Sequence, residues 1–216
     1  MLERDPPGER RAMTLQDIRA WFDLQRETLE RVHPSWLPAV EAELVIVARK
    51  TTTGRRWLAN RLGTACPLLF ALPRGVGPGC VQDLQPLGWF RTALHEILEC
   101  ALDLGSLALA SRLRTVVTRP AVTRIRTTLG QERYERALAA PPVVGTIPPA
   151  DDVDSLLEEV LRHGAQELAE HAGQLHPALS ESVKLSFECN WWDIPSSAML
   201  PRELAASCLQ RRVPHD

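Results

Sequence analysis

The chain has 216 residues, 44% of them hydrophobic and 24% charged, which is enough apolar material for a sizeable core in one domain or one domain with an appendage. Its formal net charge of −2 lacks the dominant positive field of a typical DNA-binding domain, and no apolar run approaches the roughly 20 residues of a membrane span. Five scattered cysteines without a Cys-x-x-Cys pair point to reduced thiols, not to a disulfide framework or a zinc site.

Residues 1–13 are charged, contain Pro6-Pro7-Gly8 and show no apolar signal-peptide core, so they read as a leader on a protein expected in the cytosol. A main helical domain is expected over 14–140. Thr14 with Asp17 resembles a capping pair, and Leu15, Ile18, Trp21, Phe22, Leu29 and Val32 make an amphipathic helix that Pro34 stops. Ser35-Trp36-Leu37-Pro38 forms a corner, after which Val40, Leu44, Val45 and Val47 lead a helix to Lys50. Thr51 to Gly54 breaks the chain, and Trp57, Leu58 and Leu62 mark a short helix closed by Gly63. Between Pro67 and Gly88 the prolines and glycines are loop chemistry. Gly75-Val76-Gly77-Pro78-Gly79 lacks the following Lys-Ser or Lys-Thr of a phosphate-binding loop.

The periodicity is clearest from Trp89 to Leu138. Phe90, Ala93, Leu94, Ile97, Leu98, Ala101 and Leu102 define a buried stripe, and a second helix or a continuation follows after Asp103 and Gly105. His95-Glu96-Ile97-Leu98-Glu99 offers a glutamate where a zinc-binding helix needs its second imidazole. Thr118 is an N-cap candidate with Pro120 in the first turn, and Gly130 stands where a helix end calls for positive φ. Seven arginines against Glu132 and Glu135 lie between Arg112 and Arg136, a local charge of +5. Arg112, Arg114, Arg119, Arg124 and Arg126 are therefore candidate partner-binding residues. Residues 118–129 can alternatively be read as the recognition helix of a helix-turn-helix DNA-binding regulator.

Two elements of this region carry a family resemblance. Val122, Ile125, Leu129-Gly130, Tyr134 and Ala137-Leu138 resemble the central segment of the type III secretion sorting-platform accessory (adaptor) family, the SctK/YscK type with its rhizobial members. His33-Pro34-Ser35-Trp36-Leu37-Pro38 resembles that family's amino-terminal His-Pro-Ser-x-Leu-Pro element. The resemblance implies a non-enzymatic adaptor without cofactor or small-molecule substrate. Its partners would be the pod protein of the sorting platform and the cytosolic domain of the inner-membrane ring protein, with the stator and export ATPase recruited indirectly. It also implies a cytoplasmic location at the inner face of the bacterial inner membrane, reached through protein partners.

Residues 141–150 are proline-rich and read as a linker to a C-terminal subdomain over 151–216. Residues 1–149 carry 20 basic and 15 acidic side chains, whereas residues 150–216 carry 5 and 12, an asymmetry that points to assembly. Asp151, Asp152 and Asp154 suit a helix amino terminus, with Leu156, Leu157, Val160, Leu161, Ala165, Leu168 and Ala172 as its buried face and Gly173 as its end. His163, His171 and His176 do not share one helical face. Val183, Leu185, Phe187, Cys189 and Trp191 alternate with Lys184, Ser186, Glu188, Asn190 and Trp192, which predicts a short strand. In the family a Lys-Leu-Pro is expected here, of which Val183-Lys184-Leu185 keeps part. Trp191 and Trp192 would point to opposite sides of such a strand, making the pair a candidate contact point. The expected fold is mainly α: an irregular multi-helix domain with a strand-like segment near residues 183–192.

Overall fold

The structure, a computed structural model, describes residues 15–70, 94–141, 152–194 and 200–210. The expected leader, the glycine-rich loop, Trp89 and Phe90, the linker beyond Pro141 and the tail fall outside these residues. Among the described residues the chain is helical throughout, with eleven α-helices and no strand. In chain order they are α1 (Leu15–Arg31), α2 (Ala42–Lys50), α3 (Thr52–Leu62), α4 (Pro67–Phe70), α5 (Leu94–Ala108), α6 (Ala110–Thr115), α7 (Arg119–Leu129), α8 (Gln131–Ala139), α9 (Val153–Leu175), α10 (Pro177–Leu185) and α11 (Arg202–Gln210). Two 3-10 turns, Pro34–Trp36 and Cys189–Asp193, make the corners.

Local chemistry starts several of these helices. Asp152 accepts from the Ser155 amide at 2.8 Å, and Thr51 accepts from the Gly54 amide at 3.0 Å. The His176 ring accepts from the Ala178 amide at 3.1 Å, with Pro177 in the first turn of α10. Gly130 joins α7 to α8 with φ +86°, the positive value its position calls for.

The two hydrophobic clusters meet along α9. The larger gathers Trp21, Leu24 and Leu29 of α1, Val45 of α2, Leu58 and Leu62 of α3, the buried stripe of α5 from Ile97 to Ala108, the second half of α9 and the buried face of α10. The smaller packs Leu113, Ile125, Leu129, Tyr134 and Ala137 of α6 to α8 against Leu156 and Val160 at the start of α9. Both clusters draw on residues from either side of the 141–150 stretch.

Helices α5 and α9 cross in close backbone contact. A Cβ on Gly105 would run into the Val160 carbonyl, and one on Gly164 into the Ala101 carbonyl. The backbones touch there because neither helix carries a side chain at the contact. This explains why α5 continues through Asp103 and Gly105, the continuation that the sequence left open beside a second helix. Asp103 is matched by a buried arginine, and Gly105 supplies room for the neighbouring helix. Likewise α9 runs past Gly173 to Leu175.

The expected strand at 183–192 is absent. Val183 and Leu185 belong to the last turns of α10, and residues 189–193 form a 3-10 turn. The alternation misled because α10 is buried over a broad arc: Ala178, Leu179, Ser182, Val183 and Leu185 are all inside. Ser182 and Ser186 look outward in an alternating pattern, yet their hydroxyls are hydrogen-bonded to α1 and sit in the interior.

Candidate functional site

The Arg112–Arg136 stretch divides into an inner and an outer set. Arg112 is buried and pairs with Glu159 of α9. Arg114 donates to the carbonyls of Leu138 at 3.1 Å and Ala137 at 3.2 Å, and to that of Ala140, closing the C-terminal end of α8 where unpaired carbonyls concentrate negative charge. Arg133 is buried between α5 and α8, with Nε 2.6 Å from Asp103 and Nη2 2.6 Å from Glu99. Burial alone would lower its pKa, but the hydrogen bonds it donates to Asp103 and Glu99 outweigh that effect and raise it. Arg136 reaches Asp103 at 3.6 Å and Glu132 at 3.0 Å.

The outer set is Arg119, Arg124 and Arg126, all exposed on α7. Ile125 and Leu129 turn the opposite face of that helix into the smaller core. Arg124 meets Asp154 at 3.1 Å in solvent, and Arg126 stacks on the Tyr134 ring at 5.4 Å. Arg119 forms no ion pair among the described residues. Thr123 and Thr127 donate to carbonyls one turn back, each at 2.9 Å, which leaves a ridge of hydroxyls between the arginines.

The other residues singled out in the sequence come together at a second place. The His33 to Leu37 corner docks on residues 185–189: the His33 amide donates to the Leu185 carbonyl at 2.7 Å, and the Trp36 indole to the Phe187 carbonyl at 2.9 Å. The Cys189 amide donates to Ser35 Oγ at 2.9 Å. Trp191 is buried and stacks on Phe187 at 5.8 Å, while half-buried Trp192 lies under the Lys184 ammonium at 5.7 Å. Of the tryptophan pair, therefore, only Trp192 offers any surface in the single chain, and Arg112 offers almost none.

Ser35 Oγ lies 2.8 Å from His33 Nδ1, a distance that invites comparison with a nucleophile and its base. The same nitrogen accepts from the Ser35 amide at 3.3 Å, and the same hydroxyl holds the Cys189 amide. The pair is thus the pin of the corner. Burial lowers the His33 pKa, with Glu188 opposing and Arg49 reinforcing the shift.

Three buried ionisable side chains were not legible as a group in the sequence. Arg31 donates to Ser186 Oγ at 3.0 Å and Ser182 Oγ at 2.7 Å, while its Nη1 has no hydrogen-bond partner. Burial pulls its pKa down to about 10 against the pull of Glu27 and Glu30. Glu167 on α9 accepts from the Leu200 amide at 3.0 Å, and burial pushes its carboxyl up to about 7, with the amide opposing and Glu170 adding to the rise. His163 is buried, and desolvation lowers its pKa. The available signal was spacing: Thr28 with Arg31 and Ser182 with Ser186 place polar groups three and four residues apart on otherwise apolar faces.

Among the described residues no three His, Cys, Asp or Glu side chains are grouped to hold a metal ion, and no helix is long and apolar enough to cross a membrane. A cavity of about 210 Å³ lies between α5, the end of α8 and α11, lined by Leu107, Ala139, Ala140, Pro141, Leu204 and Cys208 with Arg136 at its edge. No family model, curated protein or solved structure matches the chain.

Proposed function

We propose that the chain is a non-enzymatic adaptor of a bacterial type III secretion system, joining the cytosolic sorting platform to the inner-membrane ring. The reading rests on the sequence resemblance, and one structural observation supports it. Both resembling elements act as junctions of the fold: the His33 to Leu37 corner binds residues 185–189, and the Leu129-Gly130 to Leu138 element forms the α7–α8 hairpin. The hairpin leaves Arg119, Arg124 and Arg126 exposed on the outer face, where an acidic partner surface can reach them.

In this proposal the work done is docking. The α7 face steers and orients a partner such as the pod protein through long-range charge, and a second surface contacts the ring protein. The stator and export ATPase are then recruited indirectly, and the chain resides at the cytosolic face of the inner membrane through those partners. Affinity pull-down of the tagged protein from its native cells, with nuclease treatment and at two salt concentrations, tests it. Recovery of a pod protein and an export ATPase, insensitive to nuclease, is expected. The Arg119→Glu, Arg124→Glu double variant should lose one partner while keeping its helical content, and unchanged recovery would sink the assignment of that face.

One observation favours a second reading. The short α6, the three residues 116–118 and α7 follow one another as in a helix-turn-helix, with Arg119, Thr123, Arg126 and Thr127 exposed on the second helix. Recovery of DNA with a steep salt dependence would favour it over the adaptor.

A further inference from the structure

The helix α2 has an apolar outer face that nothing in the described chain covers. Val45 is its fully buried anchor, with Ala48 and Arg49 beside it, and Arg49 donates to the Val32 carbonyl. On the opposite side Leu44 is 57% exposed, Ile46 42% and Val47 58%, the densest grouping of exposed large hydrophobic residues among the described residues. With 3.6 residues per turn, Glu43, Val47 and Lys50 fall in one outward line, flanked by Leu44 on one side and Ile46 on the other. Glu43 and Lys50 are exposed and form no ion pair among the described residues.

The order of charges along that line is the informative feature. A carboxylate stands at its start, an ammonium at its end and a valine between them. An anionic membrane surface would be repelled by Glu43 and by its exposed neighbour Glu41. An identical helix laid antiparallel is complementary: Glu43 of each copy meets Lys50 of the other, and Val47, Ile46 and Leu44 meet around the two-fold axis. This is the isologous geometry in which residue i contacts j and j contacts i. We propose that the outer face of α2 is a self-association surface, pairing two copies of the chain antiparallel about Val47.

The contact is small. Nine helical residues span about 13 Å, well short of a standard interface, so a dissociation constant weaker than about 1 µM is expected and the pairing is reversible. Its specificity is testable by charge. Sedimentation velocity of the full chain over a wide concentration range should show a monomer–dimer equilibrium. Glu43→Lys alone or Lys50→Glu alone places like charges opposite each other at both symmetric contacts and should weaken the dimer by about tenfold or more. The double swap Glu43→Lys with Lys50→Glu restores both contacts and should recover the parent constant. An equimolar mixture of the two single variants should likewise form a heterodimer more tightly than either forms with itself. Val47→Asp should abolish association while the circular dichroism spectrum stays unchanged. A chain that is monomeric at every concentration would overturn the proposal, as would a dimer indifferent to Val47→Asp or a double swap no better than the single reversals.

Discussion

Two arginines are buried, 4% exposed for Arg31 and 9% for Arg133, and their surroundings differ. Arg133 bridges α5 and α8 with two carboxylates in contact. Arg31 bridges α1 and α10 through two serine hydroxyls, with the charges of Glu27 and Glu30 opposing its desolvation. In the first seam the charge is matched and the pKa rises; in the second it is desolvated and the pKa falls to about 10. A buried guanidinium can thus be either one half of an ion pair or a hydrogen-bond donor tolerated for its geometry. Removal is the operation that tells these apart.

The largest effect is expected from Arg133→Met, which takes from the buried Asp103 carboxylate the guanidinium 2.6 Å away. It should cost about 3–5 kcal/mol in chemical denaturation, and a loss below about 1 kcal/mol would erase the contrast. Glu167 extends the comparison to a buried acid that a backbone amide holds. Its pKa is raised from an ordinary 4.5 to about 7, so the folded chain holds a proton that the unfolded chain releases between those values. Stability from this group is intact below the unfolded value, declines as pH rises and is lost once pH passes the folded value. Glu167→Gln should flatten that slope and raise stability by about 2 kcal/mol at about pH 8 relative to the parent. His163, held low by burial, tilts the curve the opposite way below its ordinary 6.5, so the difference between variant and parent is the quantity to measure.

Arg31→Met should change stability by no more than about 1 kcal/mol in either direction, because the relief of a desolvated charge offsets the loss of its attraction to Glu27 and Glu30. Ser182 keeps its Thr28 partner at 2.6 Å, and Ser186 keeps the Ser182 carbonyl at 3.3 Å. A loss as large as that of Arg133→Met would show that hydroxyls serve a buried cation as well as carboxylates do. At the bottom of the scale, Arg124→Ala breaks only an exposed pair with Asp154 and should shift the melting midpoint by the equivalent of less than about 0.5 kcal/mol.

These contrasts also mark the limit of what could be read from the chain itself. Helical periodicity correctly announced α1, α5, α7 and α9, and Thr118, Pro120 and Gly130 fell at the ends expected of them. Whether the helix continued past Asp103 and Gly105 or a second one began stayed open, because their partners, Arg133 and the Val160 carbonyl, lie 30 and 55 residues away. The strand at 183–192 failed for the same kind of reason: Ser182 and Ser186 are interior because Thr28 and Arg31 receive them. Seven arginines within 25 residues read as one basic face, yet position on successive short helices turns four of them onto carboxylates and carbonyls. Local pattern gives the element, and only the tertiary neighbour says whether a polar residue faces water.

The crossing of α5 and α9 carries a consequence of a different kind. What a side chain at Gly105 or Gly164 would strike is main chain, and main chain is present whatever residue occupies the opposite position. An overpacked side-chain contact can be relieved by shrinking its partner, but here no exchange at Val160 or Ala101 removes the obstructing carbonyl. In a search for second-site revertants, Gly105→Ala and Gly164→Ala should therefore yield none at the facing positions. Any suppressor must instead push the two helices apart, and will map to the residues that set their spacing along the rest of α9.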